Sequence, residues 1–164
     1  MKKLHFALIG CGRISKNHVA AAIANKETME LVAVCDPILE KAEKKANDYF
    51  EATGKKPAIY ADYKKALKEQ EIDCCSIATE SGYHAEIALY CISKGKSVLI
   101  EKPMALSTAD AEKMISEAKK QGVTLGVCHQ NRFNAPIQEL HKALDDGRFG
   151  VCIGLVSRDD PLAK

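Results

Sequence analysis

Phe6-Ala7-Leu8-Ile9-Gly10-Cys11-Gly12-Arg13-Ile14-Ser15 passes from an unbroken apolar run, through two glycines, into a helical pattern that continues to Asn25. Four apolar residues in a row, with no polar alternation, indicate a strand buried on both faces, and such strands belong to parallel sheets covered by helices on either side. Gly10 permits the tight bend out of the strand, and Ser15 is small enough for close packing of helix on strand. The same alternation repeats outward from this corner. Strands are predicted at 31–34, 58–60, 74–77, 98–100 and 124–128, and helices at 14–25, 38–53, 63–68, 83–94, 108–121 and 136–146. Ser107 with Asp110 marks a helix start, and Gly122 after Lys119-Lys120-Gln121 marks a stop. The predicted architecture is α/β, a doubly wound parallel sheet.

Composition narrows the function classes. A chain of 164 residues accommodates one full α/β core, and a formal net charge of +2 gives no electrostatic case for nucleic acid. The seven cysteines (11, 35, 74, 75, 91, 128 and 152) form no Cys-x-x-Cys pair and read as small buried hydrophobes in a reducing compartment, so no metal site is expected. His5, His18, His129 and His141 lack ligand-like spacing and are read as structural. No apolar stretch approaches the ~20 residues a membrane helix needs, and a cytoplasmic protein without membrane contact is expected.

The glycine turn has a chemical use beyond bending. Gly12 would let the backbone approach a pyrophosphate, and the helix behind it would offer N–H groups and the positive end of its dipole. A turn of this kind is also what any tight strand-to-helix corner requires. Asp36, closing the second predicted strand, adds a carboxylate where adenosine ribose hydroxyls would be accepted, although a strand-end acid can equally be solvated. Pro37-Ile38-Leu39 offers no cation for a 2′-phosphate, so NAD is favoured over NADP, with Arg13 keeping NADP open. Glu101-Lys102-Pro103, at the end of the apolar run Ser97 to Ile100, places a lysine where a parallel sheet opens its crevice.

Ala7 to Ile14, Cys35-Asp36, Thr79 to His84 and Glu101-Lys102-Pro103-Met104 together resemble the amino-terminal domain of the glucose-fructose oxidoreductase and inositol dehydrogenase family, Gfo/Idh/MocA. Gln130-Asn131-Arg132-Phe133-Asn134 is similar to the UDP-N-acetylglucosaminuronate 3-dehydrogenase branch. The resemblance implies a Rossmann domain that holds NAD through Gly10, Gly12, Arg13, Ile14, Asp36, Thr79, Ser81, His84, Glu101 and Lys102. It implies that Lys102 is the catalytic residue, beside the nicotinamide and hydrogen-bonded to the hydroxyl being oxidised, with Glu101 facing the cofactor or its ribose and Pro103 fixing the turn. Without the resemblance, His84 reads as a local hydrogen-bonding residue at a helix start. Glu80 departs from the family's usual proline. Asn131 and Arg132 are candidates for the substrate, a sugar, sugar nucleotide or polyol; Arg132 could instead staple the following helix or the second domain.

After Gly147-Arg148-Phe149-Gly150 one more strand is predicted at 151–156. The expected division is a dinucleotide-binding domain at 1–149 and, at 150–164, the first strand of a second α/β domain that is otherwise missing. A chain truncated in this way is expected to bind NAD with little or no turnover. Two alternatives stay open. One is a stand-alone nucleotide-binding or scaffolding module that forms a homo-oligomer through its final strand. The other is a methyltransferase using the same glycine turn, which leaves Glu101-Lys102-Pro103 unexplained.

Overall fold

A computed structural model describes residues 2–149. Six strands alternate with six helices: β1 (Leu4–Ile9), α1 (Ser15–Ala24), β2 (Met29–Cys35), α2 (Leu39–Thr53), β3 (Ala58–Tyr60), α3 (Tyr63–Glu69), β4 (Cys74–Ile77), α4 (His84–Ser93), β5 (Ser97–Ile100), α5 (Thr108–Gln121), β6 (Leu125–Val127) and α6 (Ala135–Asp145). Every pairing is parallel and the strand order is β3-β2-β1-β4-β5-β6. The order reverses between β1 and β4, where a crevice must open because the connections leave the sheet in opposite directions.

Burial on both faces explains the unbroken apolar runs. Along β1, Phe6 and Leu8 pack with Val19 and Ala22 of α1 and with Ala42, Ala46 and Tyr49 of α2. Ala7 and Ile9 point the other way, into a core with Ala66 of α3, Ile87, Ala88, Cys91 and Ile92 of α4, and Met114 and Ala118 of α5. The side-chain alternation of period 2 thus feeds two cores at once.

Caps set the ends. The Ser107 hydroxyl accepts from the Asp110 N–H at 3.1 Å and starts α5, and Gly122 ends it with φ 68°. The predicted helix at 83–94 starts with its own tighter turn, a 3-10 segment over Ser81–Tyr83, before α4 proper. The predicted strand at 124–128 shortens to Leu125–Val127.

The chain divides into two compact units, Met1–Val127 and Cys128–Lys164. The first holds all six described strands. The described part of the second consists of a 3-10 turn, Gln130–Phe133, and α6, with Pro136 in the first turn of the helix where its missing N–H costs no hydrogen bond. The predicted strand at 151–156 and the segment 150–164 lie outside the described residues. No described helix is long and apolar enough to cross a membrane.

Candidate functional site

A cavity of about 920 Å³ opens at the carboxyl ends of β1, β2 and β4, at the reversal of strand order. Its floor is the glycine turn. Gly10 has φ 91°, its N–H donates to the Cys35 carbonyl at 2.8 Å, and a Cβ there would fall 2.7 Å from the backbone of Ala78 and Thr79. Close passage of two strand ends, more than the bend itself, therefore demands glycine at this position. Gly12 differs, because a Cβ there would meet nothing within 4 Å. The Ser15 hydroxyl, fully buried, donates to the Gly12 carbonyl and pins the turn onto α1.

Asp36 ties the turn to β2. Its Oδ2 accepts from the Cys11 N–H at 2.8 Å and its Oδ1 from the Ile38 N–H at 2.9 Å, with the residue 8% exposed. Each carboxylate oxygen retains a second lone pair. Burial, and then the Asp36 charge, push the Cys11 thiol up to about 12, which leaves it a neutral packing group. Arg13, Ile14, Thr79 and Glu80 line the cavity.

Sequence reasoning missed part of the wall. Lys41, Asp62, Tyr63, Tyr83 and Glu86 also line the cavity. Tyr63 packs edge-on against Tyr90 with ring centroids 5.6 Å apart, its hydroxyl is buried without a hydrogen-bond partner among the described residues, and burial pushes its pKa up to about 12. No spacing rule singles out a tyrosine that opens a short helix, so only the fold reveals its position.

The fit to a dinucleotide can be tested on these features. The backbone at Gly12 is open, α1 has neither a side-chain cap nor an acidic residue in its first turn, and a carboxylate closes the neighbouring strand. An anionic pyrophosphate and a ribose suit that donor and acceptor set. Tyr63 leaves a polar atom unsatisfied at the wall, as a site for a polar ligand would.

The second cluster lies beyond β5. Glu101 continues the strand pairing, its N–H donating to the Ile77 carbonyl at 2.9 Å, and the residue is 7% exposed. His18 Nε2 lies 3.1 Å from its Oε1, and the Lys102 N–H donates to its Oε2 at 3.3 Å. Lys102 itself is exposed, and the Lys102–Pro103 peptide is cis. His84, which opens α4, is 1% exposed. Its Nδ1 lies 2.8 Å from the Pro103 carbonyl and its Nε2 3.1 Å from the Thr79 carbonyl. It therefore joins the lysine loop to the loop after β4, the local hydrogen-bonding role that its place at a helix start suggests. Ser81 opens the 3-10 turn between those loops. Asn131 and Arg132 belong to the second unit, where both are exposed on the 3-10 turn and the Arg132 N–H donates to the His129 carbonyl at 3.1 Å.

Comparison with known proteins adds independent findings. The sequence model of an oxidoreductase family with an NAD-binding Rossmann fold, GFO_IDH_MocA, matches residues 4–129. The WlbA dehydrogenase of Bordetella pertussis, solved in complex with NADH and UDP-GlcNAcA, is 37% identical with a TM-score of 0.79, over 91% of this chain and 44% of that one. The WlbA dehydrogenase of Chromobacterium violaceum, in complex with the same two ligands, is 35% identical with a TM-score of 0.79, over 92% of this chain and 42% of that one. D-apiose dehydrogenase of Paraburkholderia graminis is 32% identical over 92% of this chain and 39% of its own length. The chain thus spans less than half the length of these relatives.

Proposed function

Because the chain belongs to the Gfo/Idh/MocA oxidoreductase family, as its NAD-binding Rossmann fold, we propose that it is the cofactor-holding part of a dehydrogenase acting on a hydroxyl of a sugar, sugar nucleotide or polyol. The observation that carries this reading is the Gly10-Cys11-Gly12 turn, latched to Asp36 at 2.8 Å over a cavity of about 920 Å³. Gly12 and the start of α1 hold the pyrophosphate, and Asp36 accepts from the adenosine ribose while repelling a 2′-phosphate. Thr79 and Ser81 shape the loop that passes the cofactor toward Lys102.

Bound NAD supplies the hydride acceptor, at its nicotinamide ring. The chain's own part is to move a proton: Lys102 Nζ, neutral for that step, accepts the proton of the substrate hydroxyl. Glu101, which accepts from the Lys102 N–H, and His84, which lies against the Pro103 carbonyl, support the lysine loop. A sugar nucleotide such as the one held by the WlbA relatives is a candidate substrate class for this family member.

Isothermal titration separates binding from turnover. NADH is expected to bind with heat and NADPH at least about tenfold more weakly; no heat from NADH at millimolar ligand would overturn the reading.

A further inference from the structure

His18 has no ligand-like spacing in the sequence, yet it sits between two elements that the proposed chemistry needs together. It belongs to α1, the helix behind the glycine turn, and it reaches across to Ser76 of β4 and Glu101 beyond β5. Ser76 Oγ lies 2.8 Å from Nδ1, and Glu101 Oε1 lies 3.1 Å from Nε2. The histidine and glutamate side chains are 8% and 10% exposed, and Ser76 is 4% exposed. Three polar side chains in such burial must satisfy one another.

Hydrogen-bond roles follow from the inventory of donors. An ionised carboxylate only accepts, so the hydrogen of this contact sits on His18 Nε2. A neutral ring then leaves Nδ1 as acceptor, and the Ser76 hydroxyl donates to it. At the other end the Lys102 N–H occupies Glu101 Oε2. Both carboxylate oxygens are therefore engaged, one from α1 and one from the lysine's own backbone.

We infer that His18 is a positioning residue for Lys102: by clamping Glu101 it fixes the loop that carries the lysine against the helix that carries the glycine turn. The inference rests on the reading of Lys102 as the proton-moving group. Removal of the imidazole frees one Glu101 oxygen inside the fold, and the carboxylate must turn toward water or another donor, taking the Lys102 amide with it.

The test uses the full chain without ligand. Long-range 1H–15N spectra of the imidazole are expected to show His18 protonated at Nε2; a ring bare at Nε2 would overturn the proposal. In backbone 1H–15N spectra, His18→Leu is expected to shift the Lys102 amide while the amide of Val34 in β2 stays in place. His18→Gln, which keeps an N–H within reach of Glu101, is expected to restore most of the Lys102 shift, a rescue that mere filling of space would not give. Equal shifts in the two variants, or no shift in His18→Leu, would overturn it. If His18→Leu does not fold, Ser76→Ala takes its place, since it removes only the far contact: Nε2 protonation and the Lys102 amide are expected to persist, and loss of both would overturn the proposal. Failure of NADH to bind the unaltered chain would remove the cofactor reading and leave these ligand-free results standing.

Discussion

Gly10 and Gly12 flank the same cysteine and separate folding from binding. A methyl group at Gly10 would meet the Ala78 and Thr79 backbone at 2.7 Å, on a residue with φ 91°. Gly10→Ala is therefore expected to cost about 3 kcal/mol or more, read as a drop in the urea midpoint. Gly12→Ala puts its methyl where nothing lies within 4 Å. It is expected to change stability by less than about 0.5 kcal/mol and to weaken NADH binding by about tenfold or more, read by titration calorimetry. A Gly12→Ala variant that binds NADH as well as the parent would contradict the placing of the pyrophosphate. Both glycines are visible in the sequence as one motif, but their different duties are not. That difference depends on what passes behind Gly10, and the strand end that does so begins 68 residues later, at Ala78.

At the scale of elements, local chemistry was legible wherever a cap or a period carried it. Ser107 and Gly122 bound α5 where the sequence places them, because a side-chain acceptor and a left-handed glycine act within one turn. Ser107→Ala is expected to cost about 1 kcal/mol in urea unfolding, with NADH affinity unchanged. The 3-10 turn Ser81–Tyr83 was less legible, since the His84 that follows it contacts the Pro103 carbonyl, 19 residues away in the chain. The cap on α3 also went unread: Asp62 accepts from the Lys64 N–H at 2.8 Å, an ordinary signal hidden in a charged stretch.

Across the whole molecule, burial on both faces of the sheet governs how the fold responds to pH. Burial pushes the Cys11 thiol from 9.0 up to about 12 and that of Cys74 from 9.0 up to about 11. The unfolded chain loses these protons first as pH rises, so it binds fewer protons than the fold and stability falls with pH. The contribution is whole below pH 9.0 and is lost progressively between there and about 12, so the urea midpoint is expected to hold from pH 7 to 9 and decline beyond. Sequence by itself determined the alternation of strands and helices, the parallel sheet and the glycine turn, because periodicity, glycine and capping act over a few neighbouring residues. Only the tertiary structure decided the polar contacts around the site: His18 meets Ser76 and Glu101 across 58 and 83 residues of chain, and His84 meets the Pro103 carbonyl across 19. Such partners are chosen by which strand ends lie side by side, and strand order is a property of the folded sheet that no local pattern encodes.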